Sequence, residues 1–90
     1  MAELATRVKA IVARRVHLKG HVQGVGFRPF VYRLAKQHGV KGHVQNQLGE
    51  VEVVAVGAAA IVENFVRDLV YLAPTLSSPS VASIETIEQI

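Results

Sequence analysis

The segment from Gly20 to Arg28 has the composition of a phosphate-binding turn. Glycine occupies positions 20, 24 and 26, and an arginine closes the segment. Glycine-rich backbone can direct several N–H groups toward one point, where they bind the oxygens of a phosphoryl group. The guanidinium of Arg28 could bind two such oxygens through parallel hydrogen bonds. A tight connection without a ligand would use the same glycines, so the pattern alone leaves both interpretations open.

Other glycine-dependent sites fit the segment poorly. A nucleotide-binding Walker loop requires Gly-Lys followed by Ser or Thr, whereas this chain has Phe27-Arg28-Pro29, and the dinucleotide fingerprint would need glycine at Pro29. The chain contains no cysteine, and its four histidines follow no zinc-ligand spacing. We therefore predict no metal and no cofactor.

The residues on either side of the segment predict a strand before it and a helix after it. Apolar and polar residues alternate from Val16 to Lys19, as in a half-buried strand. Apolar residues then recur at helical spacing from Phe27 to His38, and Gly39 is suited to end that helix. A phosphate at this point would also benefit from the positive end of the helix dipole.

The remaining elements complete a β-α-β-β-α-β order. Strands are predicted at Gly42–Asn46 and Val51–Val56, joined as a hairpin, and at Val81–Glu88. The second helix is predicted over Ala58–Leu72, with a core-facing stripe formed by Ile61, Phe65, Leu69 and Leu72. This order predicts an α+β, ferredoxin-like (split βαβ) fold, in which an antiparallel sheet packs both helices on one face.

Length and charge set broad limits on what the chain can be. Its 90 residues are enough for one domain, and its net charge of +3 is compatible with an anionic ligand without demanding one. No apolar run approaches the roughly 20 residues of a membrane span, and the start has no continuous apolar signal region. We expect a cytoplasmic protein that does not bind membranes.

The segment Gly20–Arg28 resembles the acylphosphatase signature Gly-x-Val-Gln-Gly-Val-x-Phe-Arg at all seven specified positions. A second stretch, from Gly42 through Asn46 to Gly57, is also similar to that family. Within it, Phe27–Tyr32 and Val81–Glu88 look most like the acylphosphatase-like domain that begins the hydrogenase-maturation carbamoyltransferase HypF. The resemblance covers residues 14–88 and implies the acylphosphatase-like version of the predicted fold.

The resemblance implies metal-independent hydrolysis of acyl phosphates, carbamoyl phosphate among the candidates. Arg28 and Asn46 would be catalytic, with Asn46 orienting the attacking water. The substrate-binding residues would be Gln23, Gly24, Val25, Gly26, Phe27 and Arg28. Inorganic phosphate or sulfate would bind there as a product-like ligand. We expect a monomer, with one alternative being a module of a HypF-type enzyme that has weak or no activity alone.

A nucleic-acid-binding module is the alternative from another functional class, because sheets of this topology can bind single-stranded RNA. Such binding uses aromatic side chains on the central strands. The predicted strands Val16–Lys19 and Val51–Val56 contain none. We therefore expect no nucleic-acid partner.

Three departures from the family pattern are visible. Only two residues separate Asn46 from Gly49, where relatives usually have three, and no counterpart of the relatives' fifth strand follows Glu88. Residues 1–13 form an extension before the acylphosphatase-like domain, residues 14–90. Alternation over residues 7–13 predicts an edge strand that takes the place of the fifth strand, although Leu4, Val8, Ile11 and Val12 would equally suit an amphipathic helix.

Overall fold

The computed structural model describes residues 11–20, 26–47, 49–73 and 79–87. Four strands form one antiparallel sheet in the order β2-β3-β1-β4. This architecture confirms the predicted ferredoxin-like fold. In chain order the elements are β1 (Ile11–Lys19), α1 (Phe27–His38), β2 (Lys41–Gln47), β3 (Glu50–Ala58), α2 (Ala59–Tyr71) and β4 (Ser80–Thr86).

The core lies between one face of the sheet and the two helices. Successive side chains of a strand point to opposite faces, so every second residue of β1 and β3 can be buried. The buried members of the two strands and two helices form one cluster, while the other face of the sheet carries polar residues. Members of this cluster include Val16, Leu18, Phe27, Val31, Leu34, Val51, Val53, Ala55, Val62, Phe65 and Leu69.

The predicted core stripe of the second helix is partly wrong. Phe65 and Leu69 are buried as expected, but Ile61 is 41% exposed and Leu72 is 58% exposed, and Val62 takes the place of Ile61 in the core. Each four-residue step overshoots a full helical turn by about 40°, so a stripe with two such steps moves away from the core. Leu72 lies beyond the last helical residue, Tyr71.

The N-terminal end of β1 differs from the prediction. Ile11–Ala13 do not form a separate edge strand but continue β1, which lies between β3 and β4. Ile11 pairs with Ala58, the last residue of β3. Residues 1–10, and with them the rest of the predicted extra strand or helix, lie outside the described residues.

No helix in the described part of the chain has the length and apolar character needed to cross a membrane.

Candidate active site

Asn46 lies at the end of the sheet from which the glycine segment leaves. Leu18, near the end of β1, pairs with Val51 of β3, and Val51 pairs with Asn46 of β2. The three residues form one row across the sheet, and neighbouring strands are about 4.8 Å apart, so the backbones of Leu18 and Asn46 are roughly 10 Å apart. The segment that begins at Gly20 therefore starts close to Asn46.

The side chain of Asn46 belongs to the face of the sheet that the helices cover. Its row partners Leu18 and Val51 are fully buried there, and Val44, two residues earlier on β2, packs against the same core. Asn46 itself is exposed, because it lies at the end of the edge strand. Its amide is thus accessible on the side of the sheet where α1 packs.

The amino end of α1 is fixed by a glycine and an aromatic anchor. Gly26 has a left-handed backbone with φ of 78°, and its carbonyl accepts a hydrogen bond of 3.2 Å from the Phe30 N–H. Phe27 is 1% exposed, and its ring lies 5.6 Å from that of Phe30. With Phe27 held in the core, the next residue, Arg28, projects from the first turn and is exposed.

The charges at this end of α1 favour an anion. The first turn contains no acidic residue, so no carboxylate of that turn offsets its partial positive charge. Arg28 adds a full positive charge at the same place. An arginine is ordinarily unfavourable at a helix amino end, so a bound anion would relieve a repulsion as well as gain hydrogen bonds.

The structure positions three of the six predicted substrate-binding residues. Gly26, Phe27 and Arg28 form the start of α1, whereas Gln23, Gly24 and Val25 lie outside the described residues. Asn46 is positioned at the same end of the sheet. The roles of all these residues remain predictions.

A buried carboxylate on the opposite face of the sheet was missed by the sequence reasoning. Glu52 is only 8% exposed, and its Oε1 lies 3.0 Å from His17 Nε2 and accepts a hydrogen bond of 3.1 Å from Gln47. Its Oε2 accepts a bond of 3.4 Å from Gln45. Strand alternation in the sequence already places Gln45, Gln47 and Glu52 on one face of the sheet, and this pattern could have indicated the cluster. That His17 joins the cluster follows only from the order of the strands in the sheet.

The surroundings of Glu52 favour its ionised form. The hydrogen bond from His17 lowers the pKa of the Glu52 carboxyl, and this effect outweighs burial, which raises it. Electrostatic interactions with Arg15, His17 and His43 lower the pKa further. Glu52 is therefore a carboxylate at neutral pH and an acceptor rather than a proton donor.

The described His, Asp and Glu residues include no group of three that could hold a metal ion. Likewise, the four strands that the structure describes contain no Phe, Tyr or Trp. These strands therefore offer no Phe, Tyr or Trp ring of the kind that the nucleic-acid alternative requires.

Two kinds of named protein are similar to this chain in sequence. The Probable carbamoyltransferase HypF of Methanocaldococcus jannaschii is 46% identical over 76 residues, which are 84% of this chain and 10% of that protein. The acylphosphatase of Archaeoglobus fulgidus is 35% identical over 79 residues, 87% of this chain and 82% of that protein. The chain thus spans a tenth of the HypF relative but most of the acylphosphatase.

Solved structures give the same two kinds of match. Full-length HypF in its phosphate- and nucleotide-bound form superposes with a TM-score of 0.79 and 35% identity, covering 92% of this chain and 11% of that one. The acylphosphatase of Bacillus subtilis has a TM-score of 0.70 and 32% identity, covering 84% of this chain and 82% of that one. The acylphosphatase family model matches residues 14–89. The chain therefore belongs to the acylphosphatase family.

Proposed function

We propose that this protein hydrolyses acyl phosphates to a carboxylate and inorganic phosphate. The observation that carries the proposal is the placement of Asn46 and the arginine-bearing amino end of α1 at one end of the sheet and on one face. Family membership supports the reaction class, and this placement supports the choice of Arg28 and Asn46 as its residues. The proposal covers acyl phosphates as a class, and carbamoyl phosphate is one candidate substrate within it.

The reaction asks little of the protein beyond binding and orientation. An acyl phosphate is a mixed anhydride, and its carboxylate leaves readily without a strong acid. Water attacks phosphorus in line: a new P–O bond forms, the bond from phosphorus to the acyl oxygen breaks, and the water proton passes to a phosphoryl oxygen. Catalysis of such a transfer comes mainly from positioning and from stabilising the charge on the equatorial oxygens.

Arg28 and the backbone N–H groups of residues 23–27 would bind the phosphoryl oxygens. Arg28 is suited to this because it is exposed and adjoins the buried Phe27, which fixes the first turn of α1. A guanidinium can bind two oxygens at once and so fixes the orientation of the phosphoryl group.

Asn46 would orient the attacking water through its side-chain amide. It lies on the helix-covered face of β2, in one row with Leu18, from whose strand the glycine segment leaves. An amide can accept a hydrogen bond from the water and donate one to a phosphoryl oxygen. No general base is needed, because the phosphoryl group accepts the proton.

Phosphate release from benzoyl phosphate in the presence of EDTA tests both roles. We expect Arg28→Ala and Asn46→Ala each to lower kcat/KM at least about 100-fold, which corresponds to about 2.7 kcal/mol of transition-state stabilisation. Two exposed residues provide matched controls: Arg33→Ala on the same helix and Asn64→Ala on α2 should retain activity. Full activity in either Arg28→Ala or Asn46→Ala would refute its assigned role.

A second candidate is a module that binds an acyl phosphate inside a larger enzyme and turns it over slowly alone. The match to only a tenth of the HypF relative favours this possibility. Comparing turnover of carbamoyl, acetyl and benzoyl phosphate separates the two. An independent enzyme would hydrolyse at least one of them rapidly, whereas the module would bind inorganic phosphate without appreciable turnover of any.

A further inference from the structure

We propose that Glu52 is a positioning residue for Asn46, acting from the opposite face of the sheet. The inference rests on the catalytic role proposed for Asn46. It concerns a residue that contacts neither substrate nor water in that mechanism and that would act only through β2.

The two neighbours of Asn46 are both bound to Glu52. Because strand side chains alternate, Gln45 and Gln47 point to the open face of the sheet while Asn46 belongs to the helix-covered face. Gln45 Nε2 donates to Glu52 Oε2 at 3.4 Å, and Gln47 Nε2 donates to Glu52 Oε1 at 3.1 Å. The carboxylate thus holds β2 on both sides of Asn46.

Glu52 is in turn tied to the middle of the sheet. His17 of β1 lies directly opposite Glu52, and its Nε2 is 3.0 Å from Oε1. The other ring nitrogen, Nδ1, is 3.0 Å from Ser83 Oγ of β4. The sheet register places Ser83 opposite His17, His17 opposite Glu52, and Glu52 opposite Gln45. One row of polar contacts therefore runs from β4 across the sheet to β2, the edge strand that carries Asn46.

This support matters because of where Asn46 lies. In the described sheet β2 is an edge strand that pairs only with β3, and Asn46 is next to its last residue, Gln47. An edge strand opens more easily than a central strand, since hydrogen bonds hold it from one side only. A displacement of about 1 Å in a group that orients a reactant can cost on the order of 100-fold in rate.

The charges around Glu52 explain why its carboxylate form is needed. Arg15 Nε lies 3.9 Å from Oε1, and His43 Nε2 lies 3.8 Å from Oε2, in addition to the closer His17. Among the described residues, two other carboxylates lie on this face: Glu85 is bound to Arg15 at 3.1 Å, and Glu50, opposite Gln47, lies 3.8 Å from Lys19 Nζ. Neutralising Glu52 would remove the negative charge that faces these basic side chains. It would also weaken the hydrogen bonds that Gln45 and Gln47 donate to Glu52.

The test compares Glu52→Gln and Glu52→Ala with Glu85→Gln, a carboxylate of the same face that is 56% exposed. For benzoyl phosphate we expect each Glu52 variant to lower kcat about tenfold, with the inhibition constant of inorganic phosphate changed less than twofold. The Glu85 variant should match the parent. Combining Glu52→Ala with Asn46→Ala should give no greater loss than Asn46→Ala alone, since both changes remove the same oriented water.

Hydrogen exchange provides a readout that does not depend on activity. In Glu52→Gln the β2 amides of residues 44–47 should exchange faster than in the parent, while those at the centre of β1 should not. Unchanged exchange at residues 44–47 would overturn the proposal. The proposal would also be overturned if the lower kcat of the Glu52 variants were fully explained by their unfolded fraction. A double variant whose loss equals the sum of the two single losses, in free energy, would overturn it as well.

The same experiments separate this proposal from the proposed function. A parent chain that turns over no acyl phosphate contradicts the proposed function, yet the exchange measurement still decides whether Glu52 holds β2. An active parent with fully active Glu52 variants refutes the positioning role and leaves the proposed function intact.

Discussion

Replacing Gly42 by alanine should destabilise the protein more than the same replacement at Gly26, Gly39, Gly49 or Gly57. Gly42 lies on β2 opposite Ala55 and has a φ of +141°, which side chains other than glycine rarely adopt. A Cβ at this position would lie 1.8 Å from the Val54 carbonyl oxygen and 2.8 Å from its carbon. Both atoms are backbone, so neither can move without disturbing the β2–β3 pairing.

The magnitude follows from adding that clash to the backbone strain. Positive φ alone costs a residue with a Cβ about 1–2 kcal/mol. Relieving the clash requires β2 to shift against β3 and to lose packing, and we expect a total destabilisation of about 3–4 kcal/mol. Gly39→Ala is the matched control, because Gly39 also has positive φ, 72°, but no heavy atom lies within 4 Å of its added Cβ. It should show the strain alone.

Urea unfolding followed by circular dichroism measures the difference. With a slope of about 1–3 kcal/mol per molar urea, the extra 2 kcal/mol in Gly42→Ala should lower its midpoint by roughly 0.7–2 M relative to Gly39→Ala. Midpoints that agree within about 0.3 M would refute the reasoning, because the clash would then cost nothing measurable.

Three further predictions concern the core, the pH dependence and the phosphate site. Leu69 is fully buried, so Leu69→Ala should lower the free energy of unfolding in urea by about 2–5 kcal/mol. Leu72 is 58% exposed, so Leu72→Ala should lower it by less than about 0.5 kcal/mol. Similar losses in the two variants would contradict the revised core stripe of α2. Because the pKa of Glu52 is lower in the folded chain than its ordinary value, its carboxylate stabilises the fold above that ordinary value, and this contribution is lost as pH falls through the lowered pKa. Unfolding free energies measured from pH 7 down to pH 3 should therefore fall more steeply for the parent than for Glu52→Gln, and parallel curves would contradict the assignment. Inorganic phosphate at 100 times its dissociation constant should stabilise the parent by about 2.7 kcal/mol, and Arg28→Ala should lose most of that gain at the same concentration; an equal gain in both, measured as a shift in Tm, would remove Arg28 from the site.

Local signals in the sequence predicted the first helix well. Gly26 and Gly39 have the left-handed backbone that glycine allows, and α1 extends from Phe27 to His38 between them. Alternation likewise predicted the buried face of β3, where Val51 and Val53 are in the core. These features depend on neighbours in the chain, which a sequence pattern displays directly.

Features that depend on distant partners were predicted less well. Arg14 and Arg15 interrupt the alternation at the start of β1, so only the pairing of Ile11 with Ala58 reveals that the strand begins there. The burial of Glu52 arises from side chains of β1 and β2 that meet only in the folded sheet. At the candidate site, Arg28 and Asn46 were chosen from the family resemblance, and the sheet register places only Asn46, in one row with Leu18 near the end of β1.

The central position of β1 has a consequence for how the chain acquires its structure. Its first residue pairs with Ala58 and Arg14 pairs with Thr86, so the first of the described strands to be synthesised acquires its second neighbour only when nearly all the described chain has been made. Such long sequence separations slow folding, because the intervening chain must be ordered before the contacts form. Until β4 joins, one side of β1 presents unpaired backbone groups to other chains. β4 contributes no residue to the candidate site, yet its pairing covers the backbone groups of β1 that would otherwise be open to other chains.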